Sequence, residues 1–203
     1  MQHCSKVAIA IIACSLNTNL FADIGENPWK IHTIDKSSQG ADGIRLLDVN
    51  SDGLMDIATG WEEGGIIRAY LHPQRGQEKK IWPAVTVGEV KSPEDAVFID
   101  INKDGAVDLV SSCEGSTRSM FIHWAPQSGK DYLDATKWKT VAIPVTKGKQ
   151  SWMYALPMQI DGENSDDLIV SSKGKGASVS WLQAPKDPHN LNEWKLHKLQ
   201  DAG

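Results

Sequence analysis

The chain has 203 residues, of which 23% are charged and 40% hydrophobic, a balance that suits a packed globular protein and excludes a disordered one. A formal net charge of −5 excludes a nucleic-acid binder that relies on a basic face to neutralise phosphates. The acidic residues are not spread evenly but fall in short clusters at regular spacing.

The first elements in chain order form a targeting segment. Lys6 is followed by the apolar run Val7 to Cys14, too short to span a bilayer, and then by a polar stretch ending in Leu20-Phe21-Ala22 before Asp23. This pattern predicts a signal peptide over residues 1–22 with cleavage after Ala22, and hence a secreted, periplasmic or cell-surface protein. Two alternatives stay open: a lipobox in Ile11-Ile12-Ala13-Cys14, which would make Cys14 a lipidated N-terminus, and a buried N-terminal strand or helix. No later segment is apolar enough for a transmembrane span. Cleavage would leave Cys113 as the one remaining cysteine, so the mature chain is expected to gain its stability from packing and metal rather than a disulfide.

Residues 23–203 are organised by an internal repeat. Trp29, Trp82, Trp138 and Trp194 open the similar segments WKIHTI, WPAVTV, WKTVAI and WKLHKL, spaced 53, 56 and 56 residues apart. Each alternates apolar and polar residues as a half-buried strand does. A second series runs in step: DVNSDGLMDI from Asp48, DINKDGAVDL from Asp100 and the degraded QIDGENSDDL from Gln159. A third closes each unit with Leu71-His72-Pro73, Trp124-Ala125-Pro126 and Gln183-Ala184-Pro185. Four short strands in a unit of about 50 residues predict an all-β fold of four-stranded β-propeller blades. The units span about 29–73, 82–126 and 138–185, with the start of a further one at 194. Three blades and the start of a fourth fall short of the four to eight of an ordinary closed ring. An incomplete propeller is therefore expected: a piece that continues into a longer chain, or an open or oligomer-completed array.

The acidic loops carry the chemistry. In the first, Asp48, Asn50, Asp52 and Asp56 place side-chain oxygens at positions 1, 3, 5 and 9, and Leu54 can offer its carbonyl from position 7. The second repeats this with Asp100, Asn102, Asp104, Asp108 and the carbonyl of Ala106. Such a hard-oxygen set suits structural Ca2+, and the glycine at position 6 (Gly53, Gly105) permits a left-handed turn. An EF-hand is excluded, because position 12 is Thr59 or Ser111 rather than Glu and the flanks read as strands. In the third loop Asp161, Glu163 and Asp167 form a weaker candidate site, with Gln159 in place of the first Asp and Asn164 in place of the Gly. The competing reading is a set of Asx-turns without metal.

These residues resemble the FG-GAP/VCBS repeats of integrin-type β-propellers, over about residues 29–203. The resemblance implies structural calcium within blades and an extracellular or cell-surface location. The Phe-Gly and Gly-Ala-Pro segments that name the pattern are missing.

Outside the loops, Asp42 and Glu94 each lie six residues before a loop's first Asp, as turn residues or as a channel-facing extension of the cation site. His72 and His123 could meet Glu62 and Glu114 as acid/base pairs, whereas His32 and His197 share a packing position. Trp61, Trp124, Trp152 and Trp181 read as core, or as sugar-stacking platforms if exposed. No nucleophile elbow or phosphate-binding loop is present, and Lys173-Gly174-Lys175-Gly176 reads as a solvated turn. The expected function is a calcium-stabilised module that binds a protein or carbohydrate ligand or acts as a scaffold. The alternative is the propeller domain of a lyase-like, carbohydrate-active enzyme with its active site at the channel mouth.

Overall fold

The computed structural model describes residues 30–203; the expected signal peptide, the alternative lipidation site at Cys14 and the first tryptophan, Trp29, lie outside them. Among the described residues twelve strands form three four-stranded antiparallel sheets, each ordered as its strands follow in the chain. The first holds β1 (Ala41–Leu47), β2 (Asp56–Trp61), β3 (Ile66–Tyr70) and β4 (Ala84–Glu89). The second holds β5 (Pro93–Ile99), β6 (Asp108–Cys113), β7 (Ser119–Trp124) and β8 (Lys139–Ala142). The third holds β9 (Ser151–Met158), β10 (Asp167–Lys173), β11 (Ser178–Gln183) and β12 (Lys195–Asp201). Only 3-10 turns interrupt this all-β pattern among the described residues. The three sheets are propeller-like blades that do not close into a ring.

The sheets are offset by one strand from the sequence repeat. The segments after Trp82, Trp138 and Trp194 form β4, β8 and β12, and these pair with β3, β7 and β11, the strands just before them in the chain. The sheets therefore span 41–89, 93–142 and 151–201 rather than the units opened by tryptophan, and the segment after Trp194 completes the third sheet instead of starting a fourth. Residues 30–34 form no strand. In the register of the later copies they would edge a preceding sheet, and the described residues contain none.

The middle sheet explains the packing. All seven residues of β5 are buried. Because successive side chains in a strand point to opposite faces, Ala96 and Phe98 join Ala58, Ile67, Val85 and Val87 in one core while Val97 and Ile99 join Trp152, Leu168, Val170 and Leu182 in the other. The two end sheets each leave a face outward, so Ile44 and Leu46 on β1 and Tyr154, Leu156 and Met158 on β9 remain exposed.

One carboxylate pins the first strands of all three sheets. Arg45 on β1 donates from Nε and Nη2 to Asp95 Oδ1 and Oδ2 on β5 (2.9 and 2.7 Å), and the Ala155 N–H of β9 donates to Asp95 Oδ2 (3.2 Å). Burial raises the Asp95 pKa, and the Arg45 guanidinium opposes that shift. A buried carboxylate needs such a pairing to stay charged.

Candidate metal centre

Each acidic loop joins the first two strands of its sheet, so all three stand at the same sheet end. They share one backbone signature. Position 4 is left-handed in Ser51, Lys103 and Gly162 (φ 59°, 58° and 78°), and so is position 6 in Gly53, Gly105 and Asn164 (83°, 89° and 55°). The sequence reading anticipated position 6. It missed position 4, where Ser51 and Lys103 carry no local signal for a positive φ.

The ninth position is a clamp. Asp56, Asp108 and Asp167 are each buried. One oxygen of each accepts the backbone N–H of loop position 2, from Val49 (2.9 Å), Ile101 (3.4 Å) and Ile160 (3.2 Å). The other accepts the N–H of the residue before the unit's proline, from His72 (2.7 Å), Ala125 (2.7 Å) and Ala184 (2.8 Å). The proline series visible in the sequence thus marks where the chain leaving the third strand returns to this aspartate. Burial raises the pKa of Asp56, and that of Asp108 to about 7, with the neighbouring loop carboxylates adding repulsion.

The remaining oxygens of the first two loops accept from the N–H groups of the turn itself. The Asp52 N–H is shared by Asp48 Oδ1 and Asn50 Oδ1 (3.1 Å each), while Asp48 Oδ2 accepts the Gly53 N–H (2.8 Å). In the second loop the Asp104 N–H is shared by Asp100 Oδ1 (3.1 Å) and Asn102 Oδ1 (3.2 Å), and Asp100 Oδ2 accepts the Gly105 N–H (3.0 Å). Asp52 and Asp104 turn one oxygen back to the N–H of Leu54 and Ala106 (2.8 Å each). Asp104 Oδ2 also accepts from Asn102 Nδ2 (2.7 Å) and from Gln127 Nε2. Among the described residues no hydrogen-bond donor reaches the Leu54 or Ala106 carbonyl. Carboxylate, amide and free carbonyl oxygens on one turn are the donor types of a hard divalent cation, so the residues fit calcium in kind, although the three aspartates of neither loop have their oxygens within 4.8 Å of one another. The same bonds are also those of Asx-turns, which hold the loop's shape by themselves.

The third loop is filled differently. Gln159 Oε1 accepts the Gly162 N–H (2.9 Å), and its Nε2 donates to the carbonyls of Glu163 (2.9 Å) and Ser165 (3.0 Å). Both Asp161 oxygens are engaged, by the Glu163 N–H (2.8 Å) and by Gln183 Nε2 (2.6 Å), and the first-named bond is the main reason its pKa is lowered.

A second acidic cluster stands at the opposite sheet end, between the sheets. Glu62, Glu94 and Glu114 each place a carboxylate oxygen within 4.8 Å of the others. Lys173 of the third sheet lies 2.7 Å from Glu114 Oε2 and 3.4 Å from Glu94 Oε1. Burial and the adjoining Glu114 push the Glu94 pKa up to about 7, while Lys173 holds the half-buried Glu114 below the usual carboxylate range. Lys173 is therefore an inter-sheet partner and not merely part of a solvated turn. Asp42 plays no part in the cluster: its side chain caps the Gly43 N–H and its carbonyl accepts from Thr59.

Among the described residues His72 and His123 form no hydrogen bond or ion pair with Glu62 or Glu114. His123 is fully buried between Ser111 Oγ and Thr140 Oγ1 (2.8 Å each), and burial depresses its pKa to about 3. His72 contacts the Pro73 carbonyl and the edge of Trp82, and His197 lies against Trp181. Trp61, Trp124 and Trp152 are core, and Trp181 is half-buried.

No curated protein matches the chain. The family profile described as an FG-GAP-like repeat matches residues 48–111, which run from the first acidic loop through the second and into β6. The chain thus carries an FG-GAP-like repeat over that span, set within propeller-type sheets.

Proposed function

We propose that this chain is an exported, non-enzymatic β-propeller-type module whose first two loops hold structural calcium and whose surface serves to bind a protein or carbohydrate partner or to act as a scaffold. What supports the calcium reading is the matched pair of loops: in each the position-1 and position-3 oxygens, of Asp48 and Asn50 or of Asp100 and Asn102, share one backbone N–H beside a position-7 carbonyl that has no hydrogen-bond donor among the described residues. Export supports it, since extracellular calcium suits modest-affinity sites. The leader pattern over residues 1–22 supports export. The enzymatic alternative needs His72 or His123 beside a carboxylate; both are engaged by other groups, so nothing favours it.

The test is thermal unfolding of the full chain in excess calcium and in EDTA, with metal content measured on the purified protein. Two sites filled at about 100 times their Kd raise stability by about 5 kcal/mol, which is on the order of 10 °C in Tm. Equal Tm values in both buffers, with no calcium in the protein, would return the loops to metal-free Asx-turns.

A further inference from the structure

We infer that the third loop is built to work without a cation, its place taken by the side-chain amide of Gln159. This inference rests on the calcium reading of the first two loops.

All three loops follow the same backbone path, left-handed at positions 4 and 6 and clamped at position 9. They differ in what fills the turn. In the first two, the position-1 side chain is a carboxylate, which can only accept; it takes the N–H groups of positions 5 and 6 and leaves the position-7 carbonyl without a donor. A cation supplies positive charge to both kinds of oxygen at once. In the third, position 1 is an amide, which both accepts and donates. Gln159 Oε1 takes the Gly162 N–H, and Gln159 Nε2 gives its two protons to the carbonyls of positions 5 and 7, Glu163 and Ser165. The carbonyl that a bound cation would use is thus satisfied by a neutral group.

Asp161 is held by a backbone N–H and by Gln183 from β11, much as Asp48 and Asp100 are held by backbone N–H groups, so the difference between the loops lies at the position-7 carbonyl. Ser165 is buried, so without a cation its carbonyl needs a donor, and the Gln159 amide is that donor. Lys103 of the second loop donates to the Asn164 carbonyl (2.8 Å), a further fixed positive donor at the third loop. The first two loops should therefore respond to calcium while the third stays in place.

Calcium calorimetry on the full chain should count two ions, and none in the Asp52→Ala/Asp104→Ala double variant. Three ions in the wild type, or one retained by the double variant, would overturn the inference and leave the calcium reading standing. No ions at all would overturn the calcium reading and the inference with it. Should the double variant fail to fold, the side-chain amide resonances of Gln159 in the wild type decide the matter, assigned by their loss in Gln159→Glu. They should stay fixed during a calcium titration that moves the Gly53 and Gly105 amides; movement with the others would overturn the inference.

Discussion

Replacing Asp167 by alanine isolates the clamp from any question of metal, because it stands in the loop filled by Gln159. Its two oxygens hold the Ala184 N–H at 2.8 Å and the Ile160 N–H at 3.2 Å. Ala184 is 2% exposed, so its N–H loses its acceptor in a place water does not reach, whereas Ile160 is 38% exposed and its neighbourhood can rehydrate. An orphaned buried donor costs about 1–3 kcal/mol, and hydrogen bonds to a charged acceptor lie at the upper end of the range. The expected loss is about 2–4 kcal/mol, with Asn, which keeps one acceptor, falling between Ala and the wild type. Urea unfolding in EDTA reads the change directly as a shift in midpoint at constant slope. Asp166→Ala, a neighbouring carboxylate with no hydrogen-bond partner among the described residues, serves as the control and should stay within about 0.5 kcal/mol. If Asp167→Ala stays within that margin too, the clamp contributes nothing and the shared geometry of Asp56, Asp108 and Asp167 has no energetic meaning.

Further outcomes follow from the same geometry. His123 is held neutral, with its pKa down at about 3, so below pH 6.5 the unfolded chain gains a proton that the folded one refuses. Its contribution is complete above pH 6.5 and is lost as pH falls towards 3; the decline in stability from pH 6 to 4 should be shallower in His123→Gln, by up to about 1.4 kcal/mol per pH unit. Glu94 has the opposite sign, since the folded state keeps its proton up to about pH 7; Glu94→Gln should flatten the loss of stability between pH 5 and 7 in the same denaturation series. A Cβ on Gly88 would stand 2.4 Å from His123 Nδ1 and 2.5 Å from Thr140 Oγ1, so Gly88→Ala should cost about 1–3 kcal/mol by overpacking. Asp95→Ala leaves the Arg45 charge and the Ala155 N–H without their acceptor; it should lower stability by more than Gly88→Ala in the same assay, because a partly buried charge is orphaned as well as a backbone donor.

Much of this architecture is legible in the residues because a repeat states it three times. The strands around the loops followed from alternation, and the loop chemistry from the spacing of Asp48, Asn50, Asp52 and Asp56. What the alternation could not settle was pairing. A strand such as β4 reads the same whether it opens one sheet or closes another, and only hydrogen bonding to β3 assigns it. Contacts between repeats were equally hidden: Lys173 reads as a turn residue until the fold brings it 2.7 Å from Glu114. The role of Gln159 was obscured by alignment itself, which presents it as a lost aspartate and so as a weakened site.

The three series seen in the sequence act as one device at one end of each sheet. The acidic loop joins the first two strands, its ninth residue reaches the chain leaving the third, and the tryptophan before the fourth closes the remaining connection. Trp82, Trp138 and Trp194 each donate their indole N–H back to a carbonyl in that connection, of Glu78 (3.0 Å), Tyr132 (2.9 Å) and Pro188 (3.1 Å). The polar links between sheets lie mostly away from that end: Arg45, Asp95 and Ala155 along the first strands, and Lys173 with Glu94 and Glu114 at the far end, with Lys103 to the Asn164 carbonyl joining the second and third loops. Calcium in the first two loops would therefore stiffen the loop end of the first two sheets without being the main tie between the sheets. Chelation should then increase amide exchange at Val49 to Met55 and at Ile101 to Val107 while leaving the β-sheet circular dichroism signal intact. Collapse of that signal in EDTA at room temperature would mean that the cation, and not the polar lacing between sheets, carries the assembly.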